Sequence, residues 1–138
     1  MTAAFELDAR LATDTHLVGD LELSRVLLMN DARFPWLILV PRRAGMRDLI
    51  DLAPAEQHVL LDEIGRCSTA LRNMEKPHKL NIAALGNVVA QLHVHVIARK
   101  MHDAAWPRPV WGVGEREAYA AGALELRLSS LRAALRTQ

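Results

Sequence analysis

Cysteine is almost absent from this sequence. The 138-residue chain has one, Cys67, which can neither close an internal disulfide nor assemble a thiolate zinc cluster. A reducing compartment is therefore expected. Charge of one sign is also missing, with 17 basic against 16 acidic side chains and a formal net charge of +1. That balance excludes the concentrated basic face on which nucleic-acid polymers or membrane surfaces are held. There are no internal repeats and no low-complexity linker. Long hydrophobic runs are lacking too: the densest, Trp36 to Val40, is five residues, where about 20 are needed to cross a bilayer. Glu6 and Asp8 interrupt the N-terminal stretch, so no secretory leader is expected. These absences predict a soluble, cytoplasmic protein with no membrane partner.

What remains is an ordinary globular balance, 51% hydrophobic and 24% charged, at a length that fits a single domain over residues 1–138. Residues 5–14 have weak helical character. Strands are expected at 22–30 and 37–40, joined by the turn-rich Asp31 to Pro35. Pro41 cannot donate to a ladder and is expected to end the second strand or lie at an edge. A long helix should begin at Pro54, where the missing N–H costs nothing, with Glu56 in its first turn. Val59, Leu60, Ile64, Cys67, Leu71 and Met74 form its apolar stripe, which makes Cys67 a core residue, and Pro77 closes it. Further strands are expected at 79–84 and 88–98, separated by a turn at Leu85 to Asn87. Residues 105–138 should form a loop rich in Trp and Pro, then an amphipathic helix carrying Leu124, Leu128, Leu131 and Leu135. The sum is an α+β fold: an antiparallel sheet with a long helix packed on one side.

Chemistry concentrates in Gln91-Leu-His93-Val-His95-Val-Ile97. Side chains alternate along a strand, so Gln91, His93 and His95 share one face at about 6.8 Å per step. Leu92, Val94 and Val96 take the opposite, core-facing side, and the polar row is expected to point outward. Two imidazoles on a rigid strand can divide the work, one as nucleophile and the other as donor to the group attacked. A phosphorus centre suits that division. Two other readings stay open on pattern alone. The pair can be solvent-facing polar residues, or it can ligate zinc or manganese, for which His78, His102 and Asp103 are candidate third ligands.

The stretch Gln91 to Arg99 resembles the signature strand of the histidine-triad superfamily, with glutamine in place of the first histidine. The resemblance extends over roughly residues 20–107. It includes Met29-Asn30 at a strand end, Leu39-Val40-Pro41 followed by Arg42, the helix start at Asp51 to Glu56, Asn81, and Gly86-Asn87. It implies an α+β nucleotide-binding domain in which His93 attacks the α-phosphate, a nucleotidyl-histidine forms, and water or an acceptor resolves it. His95 matches the histidine that contacts phosphate oxygens, with Gln91 orienting the nucleophile in place of a histidine. Asn30, Asn81, Gly86 and Asn87 match nucleotide-binding positions. Trp106, in a Trp-Pro pair, is a candidate for stacking on a base, the alternative being a hydrophobic plug, and Arg99, Lys100 and Arg108 are candidates for attracting phosphate. Substrates implied are a purine nucleotide or dinucleotide, such as a diadenosine polyphosphate or a nucleoside phosphoramidate. A homodimer is implied, and so is the absence of a required metal, although magnesium can arrive with a polyphosphate. Three supports depart from the pattern. Gln91 replaces the first histidine, Pro35-Trp36 stands where many relatives have Gly-His, and Val88 replaces a hydroxyl residue. These departures make a non-catalytic nucleotide-binding module the alternative to an enzyme.

Overall fold

A computed structural model describes residues 4–137; the ends of the expected 1–138 unit, Met1 to Ala3 and Gln138, lie outside the described residues. The fold is organised around one central strand. Trp36–Pro41 (β3) is buried along its whole length, because apolar side chains leave both of its faces. Leu37 and Leu39 point into one core, while Trp36, Ile38 and Val40 point into another. A continuous apolar run, rather than an alternating one, is what a strand covered on both sides requires.

Around β3 the chain places Ala9–Asp14 (α1), Thr15–Asp20 (β1), Ser24–Met29 (β2), Pro54–Glu75 (α2), Lys79–Ala83 (β4), Val94–Arg99 (β5) and Ala121–Leu135 (α3). The five strands form one antiparallel sheet in the order β1-β2-β3-β5-β4. The α+β fold is as the sequence predicts. α2 starts at Pro54 without a side-chain cap and ends where Lys76 takes the left-handed conformation, its N–H returning to the carbonyl of Arg72. Leu60, Cys67 and Leu71 of α2, with Leu131 and Leu135 of α3, fill the core on one face of the sheet. Each fully buried leucine there contributes about 1.5–3 kcal/mol. Glu63, also on the buried side of α2, accepts hydrogen bonds from the amides of Leu23 (2.9 Å) and Ser24 (3.0 Å), pinning the helix to the β1–β2 hairpin. No helix of the described residues is long and apolar enough to cross a membrane.

Two expectations need correction. β1 follows the weakly helical segment without warning, because Gly19 and a register shift between Leu17 and Gly19 break its alternation. Pro41, by contrast, ends β3 as expected, opposite Ser24 and beyond Leu39, the last residue of the strand that pairs with β5. The strand expected from 88 begins at Val94. Its partner β4 ends at Ala83 opposite His95, and residues 84–93 leave the sheet as a loop, with the amide of Leu92 donating to the carbonyl of Met46 (2.9 Å).

Candidate functional site

His93 lies just before β5 and His95 within it, their ring centroids 4.9 Å apart and inclined by 69°. They are not an outward-facing row. His93 is 7% exposed and His95 4%, because α1, Phe34, Trp36 and the loop through Ala105 and Val110 cover this face of the sheet as well.

The two rings are held in opposite tautomers. Nδ1 of His93 lies 2.6 Å from the main-chain oxygen of Gln91. A carbonyl only accepts, so Nδ1 carries the hydrogen, and in the neutral ring Nε2 keeps its lone pair. Nδ1 of His95 lies 3.0 Å from the indole nitrogen of Trp36. Indole N–H only donates, so here Nδ1 has the lone pair and Nε2 the hydrogen. Burial, reinforced by the nearby His93, pushes the pKa of His95 down to about 3. With both rings neutral, the pair presents a nucleophilic nitrogen beside a neutral N–H donor.

Aromatic side chains wall the pair. Trp111 stands edge-on to His95 (5.0 Å, 83°) and to Trp36 (5.7 Å, 89°), and remains 36% exposed. Beside it opens a cleft of about 290 Å³ lined by Met29, Asp31, Arg33, Trp36, Trp111 and Arg116 among others. Trp111 is the site residue that sequence reasoning missed. It occurs in the same Trp/Pro loop as Trp106, and nothing in the spacing says which indole reaches the histidines. Trp106 instead meets His78 edge-on (5.2 Å, 85°), and the guanidinium of Arg99 lies 5.6 Å from its ring centre.

On the other side of His93 a nook of about 50 Å³ is formed with Arg47, Asp48, Gly86 and Gln91. Gly86 has φ +81°, a conformation suited to glycine, and the exposed Asn87 follows it. The side chain of Gln91 turns away from the nucleophile. Its Oε1 accepts from the amide of Asp8 (2.9 Å) and its Nε2 donates to the carbonyl of Glu6 (2.8 Å), clasping the N-terminal segment. The expected support of His93 comes from the main chain of Gln91, not from its amide.

The remaining candidates have other partners. Oδ1 of Asn30 accepts from the amide of Tyr119 (3.0 Å), and Oδ1 of Asn81 accepts from Arg99 (2.9 Å). Arg99 is 1% exposed and forms a two-point ion pair with Asp103 (2.8 and 3.0 Å), so it is a structural cation and not a phosphate lure. Burial works to raise the Asp103 carboxyl. Arg99 and the amides of Lys100, Ala105 and Trp106 outweigh it and hold the pKa at about 2. Lys100 is paired with Glu75 (3.3 Å), and Arg108 is exposed. Asp103 is thus saturated, His78 packs on Trp106, and His102 is exposed. Among the described residues no three His, Cys, Asp or Glu side chains gather as a metal-binding set. Burial raises the Cys67 thiol to about 12, with Glu63 acting in the same direction, which keeps it unreactive.

The arrangement has close relatives. The HIT domain model matches residues 10–102. A histidine triad protein from Bradyrhizobium japonicum is 52% identical with a TM-score of 0.94, over 96% of this chain and 99% of that one. One from Sinorhizobium meliloti is 43% identical with a TM-score of 0.92, over 95% and 97%. One from Marinobacter aquaeolei is 42% identical with a TM-score of 0.94, over 97% and 98%. No curated protein matches the chain. With the family model spanning most of its length and three such structures superposing on it, the chain belongs to the HIT domain family.

Proposed function

We propose that this protein binds a purine nucleotide or dinucleotide and cleaves or transfers it at the α-phosphate through His93. The observation that carries this reading is the pair of opposed tautomers. The Nε2 lone pair of His93 forms a bond to phosphorus, and the leaving oxygen or nitrogen departs with the electron pair of its bond and takes up a proton from solvent. Water then attacks the phosphorus and releases a proton to solvent, the N–P bond breaks, and its electrons return to Nε2. The Nε2–H of His95 donates to an equatorial phosphate oxygen on which charge accumulates.

Gly86 and Asn87 bound the phosphate side in this reading. Asn30 and Asn81, whose oxygens are engaged within the protein, retain their Nδ2 donors for the nucleoside. Trp106 serves as packing and Trp111 as the aromatic wall. Gln91 acts through its carbonyl. No step needs a resident metal, and magnesium bound to a polyphosphate belongs to the substrate. A second copy of the chain would fit the free edge of β4, where Ile82 is exposed beside Leu49 and Leu61 over an apolar hollow of about 400 Å³.

The alternative, a nucleotide-binding module without turnover, is favoured by one observation: the amide of Gln91 is committed to Glu6 and Asp8 and gives the nucleophile no side-chain support. His93→Gly separates the two. A Plasmodium falciparum diadenosine triphosphate hydrolase has the same fold at 15% identity, with a TM-score of 0.57, which makes diadenosine triphosphate one suitable probe beside adenosine phosphoramidate. For an enzyme, the mutant retains nucleotide affinity and loses turnover by orders of magnitude. For a module, the parent turns over neither compound and the mutant binds more weakly.

A further inference from the structure

We infer that Trp36 is a positioning residue, whose indole N–H fixes His95 as the Nε2–H tautomer and makes it a dedicated hydrogen-bond donor toward whatever is bound at His93. This rests on the reading that the two histidines face a phosphate. The register explains the reach. Ile38 pairs with His95 and Trp36 with Ile97, so the indole comes from one diagonal position along β3 and crosses to the imidazole. Both side chains are buried, at 5% and 4% exposure, and the contact is 3.0 Å long. Turning His95 into its other tautomer would set two buried N–H groups against each other at that distance. Protonating it would do the same.

The chemistry of position 36 matters here. A histidine at that position could donate or accept and could itself gain a proton. A tryptophan can only donate, at every pH. The surroundings add no rival. β3 contributes Trp36 and Ile38, β4 contributes Ala83, and the Trp/Pro loop contributes Trp111, none of which titrates. His93 is the titratable neighbour, and its influence also disfavours a charged His95. Trp111 closes against both the indole and the imidazole and holds the contact in place. The loss of a second histidine beside the pair is thus a gain in constancy: His95 offers the same hydrogen over the whole range in which imidazoles ordinarily change state.

The test is a long-range proton–nitrogen spectrum of the full-length, nitrogen-15 histidine-labelled protein without substrate. His95 is assigned by the signals that vanish in His95→Gln. The expected result is a bare Nδ1 and a protonated Nε2, unchanged from about pH 5 to pH 8. In Trp36→Phe the two tautomers should mix, and kcat on adenosine phosphoramidate should fall about tenfold with little change in KM. A protonated Nδ1 in the parent overturns the inference even if Trp36→Phe fails to fold, and so does an unaltered His95 spectrum in a folded Trp36→Phe. A tautomer that depends on Trp36 in a protein without turnover keeps the inference and sinks the phosphate-transfer reading.

Discussion

Replacing Asp103 by alanine should be among the most damaging single changes in this chain, although Asp103 touches neither histidine. Its two oxygens accept five hydrogen bonds: two from Arg99, and one each from the amides of Lys100 (3.1 Å), Ala105 (3.0 Å) and Trp106 (2.8 Å). Arg99 is buried, and without Asp103 it keeps only the Asn81 carbonyl as a hydrogen-bond acceptor. Removing one partner of a buried ion pair costs about 3–5 kcal/mol. For a chain of this size that corresponds to a fall in Tm of roughly 10–17 °C. The pH dependence gives an independent magnitude. The carboxyl is held at about 2 against the ordinary aspartate value of 3.8, a difference equivalent to about 2 kcal/mol. Because the folded pKa is depressed, that stability is fully present above about pH 4 and is lost as pH falls toward 2. Thermal and urea unfolding of parent and Asp103→Ala, followed by circular dichroism between pH 7 and the acid limit, measure both effects. The acid limb attributable to Asp103 should disappear in the mutant. A Tm unchanged within error, or an identical acid limb, refutes the account of the Arg99–Asp103 pair as the anchor of the Trp/Pro loop.

Other outcomes follow from the same geometry. His95 has a folded pKa of about 3 against 6.5, so the unfolded chain takes up a proton that the folded one refuses. Stability should therefore decline as pH drops from about 6.5 toward 3, less steeply in His95→Gln, as unfolding in urea would record. Gln91→Ala should leave the His93 contact to the main chain intact and release the clasp on residues 6–8, accelerating hydrogen exchange at the Asp8 amide; unchanged exchange there contradicts the clasp. Trp111→Ala removes the wall beside His95 and should weaken nucleotide affinity about tenfold in calorimetry, the scale of one lost aromatic stacking contact. Cys67 should resist alkylation in the folded protein and react only under denaturing conditions, as mass spectrometry would reveal.

Local pattern made much of the fold legible. The Trp36–Val40 run, the stripe from Val59 to Met74 and the leucines of α3 each carry their periodicity in contiguous sequence. β1 was hidden because Gly19 and its bulge disturb the alternation. The strand expected from Val88 is longer than the real one because alternation continues through Leu92 after the partner strand has ended at Ala83. The His-x-His pair was visible for the same reason as the helices: its two members are adjacent on one face. What makes the pair unequal was not visible. The Trp36–His95 bond spans 59 residues, and the clasp of Gln91 spans more than 80. Neither leaves a periodic trace. Asp103 read as a possible metal ligand because its acidity was legible and its five donors were not.

Trapping shows whether His93 is the nucleophile that bonds to phosphorus. The protein is mixed with adenosine phosphoramidate, quenched within the first turnovers without acid, digested, and examined by mass spectrometry. The account predicts a nucleotidyl adduct on the peptide containing His93, lost on brief acid treatment and absent from His93→Gly. Product release with no adduct on His93, or an adduct on another residue that persists in His93→Gly, would contradict it.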